Sequence, residues 1–126
     1  MDKQKRILIV DDDDQISQMY TTLLNIKGFK TQRVNNGEDA LVVVQQFKPD
    51  LILLDVMMPK ISGFDVADIL HNTNDTKEIP IIMLSALGGK EDREKAAASG
   101  VVYYYVKTEI DTESIAKKIE EILSKA

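Results

Sequence analysis

The sequence predicts an α/β fold: a doubly wound, five-stranded parallel sheet of order 2-1-3-4-5 with five helices on its two faces. Three observations predict it. Strand-like apolar runs alternate with helix-like stretches along the whole chain. The runs at 7–10, 51–54 and 81–84 are uniformly apolar, as strands buried on both faces are. The run at 30–34 mixes polar and apolar residues and the run at 101–106 is tyrosine-rich, so these two belong at the edges. Right-handed crossovers between parallel strands leave few other arrangements.

The elements follow in order. After Ile7-Leu8-Ile9-Val10, the residues Ile16, Met19, Tyr20, Leu23 and Leu24 recur at helical spacing, and Gly28 is placed to end that helix. Asp13 and Asp14 read as acids that cap its start and complement its dipole. The second helix follows Asn35-Asn36-Gly37, turns Ala40, Leu41, Val44 and Phe47 inward, and stops at Pro49. Ser62, with Asp65 three residues on, caps a third helix that carries Phe64, Ala67 and Leu70. Pro80 opens the fourth strand. The charged, alanine-rich stretch 90–99 ends at Gly100 and has little apolar stripe, so it should pack loosely. The last helix starts from Asp111 and lines up Ile115, Ile119, Ile122 and Leu123.

Bulk properties narrow the function. The 126 residues make one domain, 1–126, by length. There is no cysteine, so there is no disulfide framework or thiolate site, and the lone His71, a surface residue by its position, excludes Cys/His zinc clusters. No apolar run is long enough for a membrane, and 1–6 leads into a strand without a signal-peptide core. The expected location is the cytoplasm. A net charge of −5 argues against a nucleic-acid or anionic-membrane surface.

The chemistry lies at the carboxyl ends of the strands, where open α/β sheets bind their ligands. Asp11 and Asp12 end the first strand, Asp55 the third, Ser85 the fourth and Lys107 the fifth. Mg²⁺ takes one or two carboxylates and keeps several waters. Asp12 and Asp55 suit that role, with Asp11 acting through a bound water and the Met57 carbonyl as a further ligand. Three converging carboxylates without a cation would raise the pKa of at least one. A carboxylate can also accept a phosphoryl group as an acyl phosphate, and Asp55 is the candidate. The transfer relies on positioning and charge stabilisation, for which Lys107 and the Ser85 hydroxyl are available.

Taken together, Ile7-Leu8-Ile9-Val10-Asp11-Asp12, Leu54-Asp55-Val56-Met57-Met58-Pro59 with Gly63, Leu84-Ser85-Ala86 and Val106-Lys107 resemble a response-regulator receiver domain of the single-domain chemotaxis type, with its flavodoxin-like fold. The resemblance covers essentially the whole chain. It implies that Asp55 is phosphorylated by a histidine kinase or phosphotransfer protein, with Asp11 and Asp12 as the acidic pair. It also implies that Ser85 is the switch hydroxyl, Lys107 the phosphate-sensing lysine and Tyr104 the switch aromatic. Such a chain is no enzyme beyond promoting its own phosphorylation and dephosphorylation. It would signal to a downstream target or effector domain, as a monomer or weak dimer.

Two departures from the family pattern stand out. Thr108 occupies the place usually held by proline after the lysine, and a cis bond there would cost about 2.5–4 kcal/mol, so the last loop should take a different path. Met57 and Leu87 flank the family's path for hydrolytic water and can orient none, which predicts slow self-dephosphorylation. Other classes fit less well. Asp11 to Asp14 would repel a flavin phosphate, and a haloacid-dehalogenase phosphatase wants aspartate where Met57 stands. The rival reading is a receiver-like docking module that works without phosphorylation. With no effector region after the last helix, the chain reads as a stand-alone relay or a piece of a larger regulator, and the start at Met1 favours the former.

Overall fold

A computed structural model describes residues 4–86 and 88–124; Leu87 and the leading residues 1–3, which enter the expectations above, lie outside them. The elements alternate as β1 (Arg6–Val10), α1 (Asp14–Ile26), β2 (Lys30–Val34), α2 (Gly37–Phe47), β3 (Leu51–Asp55), α3 (Gly63–His71), β4 (Ile81–Ser85), α4 (Lys90–Ala98), β5 (Tyr103–Val106) and α5 (Thr112–Ser124), with one 3-10 turn (Lys107–Glu109) before α5. All strand pairs are parallel and the order is β2-β1-β3-β4-β5. The predicted edges and centre are therefore the observed ones.

Alternate residues of the central strands feed two apolar layers. Leu8, Val10, Ile52, Leu54 and Met83 face α2, α3 and α4 with Ala40, Val44, Val66 and Leu70. Ile7, Ile9, Leu53, Ile82 and Leu84 face α1 and α5 with Tyr20, Leu24, Ile115 and Ile119. A sheet sandwiched this way has no solvent-facing side in its middle strands, which is why their sequences lack polar alternation.

Helix ends follow local chemistry. Asp13, Asn36 and Ser62 accept backbone N–H groups of the first turns of α1, α2 and α3, and Asp111 accepts that of Ser114 at 2.7 Å. Helix α1 closes through Gly28 at φ 97°, whose N–H donates to the Asn25 carbonyl while that of Phe29 donates to Leu24. Helix α4 closes the same way through Gly100 at φ 85°: the N–H of Gly100 reaches Ala97 and that of Val101 reaches Ala96.

That closure corrects the fifth strand. Val101 and Val102 were expected in it, but Val101 is spent on ending α4 and Val102 is 80% exposed, so β5 begins at Tyr103. Met19 shares the helical spacing of α1 but not the burial of its inward stripe. It lies 52% exposed at the margin of α1, whose inward stripe is centred on Ser17, Tyr20 and Leu24. Small Ser17 lets the helix start lie close to the end of β1. Helix α4 is as thinly held as expected: within it only Ala96 is buried. Two cation–π contacts also hold it, Arg93 over Tyr104 at 5.3 Å and Lys95 over Phe64 at 5.9 Å.

Candidate functional site

Sheet register assembles the site. Val10 pairs with Leu54, Asp55 with Leu84, and Ser85 with Val106. Asp11, Asp55, Ser85 and Lys107 consequently stand in a row across the carboxyl edge, at the switch point between β1 and β3. Oxygen atoms of Asp11, Asp12 and Asp55 all lie within 4.8 Å of one another. Asp11 and Asp55 are buried, at 4% and 5% exposure, whereas Asp12 is open to solvent. The Lys107 ammonium bridges the buried pair, 3.3 Å from Asp11 Oδ2 and 3.3 Å from Asp55 Oδ1.

Local backbone structure fixes the first acid. The Asp11 N–H donates to the Val34 carbonyl at 3.2 Å, and its carboxylate Oδ1 accepts the Asp13 N–H at 2.9 Å. Asp55 is fixed from the other side. Gly63 lets the first turn of α3 press on the end of β3, its N–H donating to the Val56 carbonyl at 2.8 Å; a Cβ there would overlap the Asp55 carbonyl. Every peptide bond among the described residues is trans, that of Lys107-Thr108 included, and the chain beyond Lys107 turns into the 3-10 turn as one continuous path.

Electrostatically the site is short of positive charge. Burial, and next the negative charge of Asp11, push the Asp55 carboxyl up to about 6; Lys107 pulls it back and Asp12 adds to the rise. Burial alone would lower the Lys107 pKa, but Asp55 and Asp11 outweigh it and hold the ammonium above its ordinary value. Burial, and next the negative charges of Asp11 and Asp111, push Tyr20 up to about 12, so its phenol stays neutral. With all three acids ionised and Lys107 protonated, two negative charges remain in a half-buried hollow. Hard oxygen donors in that arrangement fit one divalent cation.

The remaining predicted residues sit around this hollow. Ser85 is wholly buried at the end of β4. Tyr104 is half-buried and faces the α4 side of the sheet beneath Arg93. The Met57 side chain is exposed on the rim of a groove shared with Asp12, Pro59 and Phe64. Asp13 caps α1, as expected, while Asp14 pairs with Arg33. Arg33 itself was not foreseen. An arginine on a polar edge strand reads as a solvated charge, and only tertiary structure reveals its reach to the end of β1.

The fold and the acid-lined crevice define an open α/β protein whose switch point can hold a cation, and comparison with known proteins narrows it to one family. Residues 7–120 match the response regulator receiver domain, and the chain belongs to that family. It is similar to a DNA-binding dual master transcriptional regulator of Synechocystis, 36% identical over 118 residues, 94% of this chain and 48% of the relative. A DNA-binding response regulator of Mycolicibacterium smegmatis is 36% identical over 90% of this chain and 49% of its own length. The chain thus spans about half the length of these relatives. Among solved structures, a putative response regulator from Chloroflexus aurantiacus superimposes with a TM-score of 0.89 at 30% identity, covering 97% of this chain and 99% of that one. A chemotaxis protein of Vibrio cholerae follows at 0.87 and 28%, covering 94% and 98%. DNA-binding relatives give no support to the expectation that nucleic acid plays no part in the whole protein. Among the described residues no helix is long and apolar enough to cross a membrane.

Proposed function

We propose that this receiver accepts a phosphoryl group on Asp55 from a phosphohistidine of a histidine kinase or phosphotransfer protein, in a Mg²⁺-dependent step, and thereby changes a protein-docking surface. The observation that carries the reading is the convergence of three carboxylates within 4.8 Å, two of them bridged by Lys107. Asp55 attacks phosphorus while the donor's N–P bond breaks and its electron pair stays with the imidazole nitrogen. With its carboxyl at about 6, Asp55 is ionised and nucleophilic at neutral pH. Asp11, Asp12 and Asp55 would hold Mg²⁺, with the Met57 carbonyl as a further ligand. Mg²⁺ supplies charge neutralisation for the phosphoryl oxygens. Lys107, already within reach of Asp55, pairs with one oxygen of the transferred group, and the Ser85 hydroxyl with another.

The new group brings about −1.5 to −2 charges into a hollow whose far wall is the weakly held α4. Ser85 moves toward it, Tyr104 follows, and the surface of α4, β5 and α5 changes. On this reading the chain promotes only its own phosphorylation and dephosphorylation; a histidine kinase or phosphotransfer protein and an attached or separate effector complete the pathway. Intact-mass measurement with a small acyl-phosphate donor tests the proposal. The parent should gain one phosphoryl group only with Mg²⁺ present, and Asp55→Ala should gain none. A parent that stays unmodified, yet still docks its partner, would establish a phosphorylation-independent module instead.

A further inference from the structure

Arg33 lies on β2, in register with Ile9, and its guanidinium reaches over the end of β1. Nε and Nη2 both donate to the Asp11 carbonyl, at 3.2 and 2.9 Å. Nη2 also lies 2.9 Å from Asp14 Oδ1. The buried Ser17 hydroxyl donates to the same carbonyl at 3.3 Å, so three donors converge on one oxygen. The ion pair is not the reason for this arrangement, because Asp14 is 88% exposed and such pairs contribute little. What the arginine holds is a backbone plane.

That plane decides where Asp12 goes. A planar trans peptide sets the Asp12 N–H opposite the Asp11 carbonyl, so clamping the carbonyl sets the direction in which the next residue leaves. Asp11 has other restraints: its carboxylate is held by the Asp13 N–H and by Lys107. Asp12 has none of these. It is exposed, and among the described residues no hydrogen bond to its carboxylate occurs, yet its oxygen lies within the 4.8 Å cluster. We infer that Arg33 is a positioning residue for the cation site, holding the Asp11-Asp12 peptide so that the Asp12 carboxylate meets those of Asp11 and Asp55. The inference rests on the proposed Mg²⁺ site.

The sign of the effect separates positioning from charge. A guanidinium near a cation site repels the cation, so an electrostatic role alone would make Arg33→Ala bind Mg²⁺ more tightly. Positioning predicts the reverse. It also predicts that Arg33→Lys fails to rescue, since lysine keeps the charge but not the planar fork. Calorimetric Mg²⁺ titration of the parent, Arg33→Ala, Arg33→Lys, Asp14→Asn and Asp12→Asn, with urea unfolding of each, tests it. Residues that hold a metal ligand without touching the metal commonly change affinity by at least about tenfold, and that loss is expected for both Arg33 variants. Asp14→Asn should stay within about twofold, as an exposed pair implies. Amide exchange at Asp12 and Asp13 should speed up in Arg33→Ala while exchange in β4 stays as in the parent. Unchanged or tighter binding by Arg33→Ala, full rescue by lysine, or a loss matched by a drop in folded fraction would each overturn the role of Arg33. If the parent binds Mg²⁺ and Asp12→Asn does not, such a result removes only Arg33; a parent that binds none removes the site itself.

Discussion

Replacing Asp55 with asparagine should stabilise the fold in the absence of divalent cations. The folded protein raises this carboxyl from an ordinary 3.8 to about 6, through burial first and the charge of Asp11 second. A raised acid binds its proton more tightly when folded, so the ionised form is penalised in the native state. That penalty is absent below the unfolded value, grows as pH rises from about 4, and is complete above about 6. At about 1.36 kcal/mol per pH unit the full effect is about 3 kcal/mol, a value that already includes the attraction of Lys107. Asparagine keeps the size and removes the charge, while Lys107 retains Asp11. Urea unfolding followed by circular dichroism suits a chain with no tryptophan. In EDTA at pH 7.5, Asp55→Asn should be more stable than the parent by about 1–3 kcal/mol, and at pH 4 the two should agree. On the proposed reading, saturating Mg²⁺ stabilises the parent by mass action and narrows or reverses the gap. A variant equal to the parent at pH 7.5, or equally more stable at both pH values, would refute the idea that Asp55 is held ionised against burial and repulsion.

Four other outcomes are expected. Gly63→Ala places a Cβ against the Asp55 carbonyl and 2.8 Å from Val56 Cα; because backbone cannot yield as a side chain does, the urea midpoint should fall by the equivalent of about 3 kcal/mol, with weakened phosphorylation in the fraction that still folds. On the proposed function, Met57→Asn gives hydrolytic water an orienting group beside Asp55 and should speed loss of the phosphoryl group, by less than the roughly hundredfold that marks the low end for a true general base; loss at the parent's rate would count against it. Hydrogen exchange should be faster across α4 than across α5, because α4 buries only Ala96 and α5 buries Ile115, Ala116, Ile119 and Leu123. A beryllofluoride-type phosphoryl mimic should alter exchange in α4 before any other helix; an unchanged profile would remove α4 from the switch.

The strands that place the site were legible because burial on both faces leaves Ile7 to Val10, Leu51 to Leu54 and Ile81 to Leu84 no polar positions, and the residue after each run then marks the carboxyl edge. The edge strands were legible by contrast. Boundaries set by competition were harder. Val101 and Val102 have high strand propensity, but Gly100 allows the α4 closure that claims the Val101 N–H. Met19 matched a helical period, yet that period does not say which apolar residue lies at the margin of the stripe. Repulsion among the acids was expected on chemical grounds and appears in the raised Asp55 carboxyl. The reach of Arg33 across 22 residues to the Asp11 carbonyl depends on strand register and rotamer, which residue types alone do not encode.

The central claim is that Asp55 itself takes the phosphoryl group because its neighbours hold a cation and an ammonium beside it. Borohydride reduction after treatment with an acyl-phosphate donor converts an aspartyl phosphate to homoserine, and tandem mass spectrometry then locates it. Homoserine at position 55, formed with Mg²⁺ and lost in EDTA, is the predicted result. Reduction products at Asp11 or Asp12, or labelling at position 55 that ignores Mg²⁺, would contradict it.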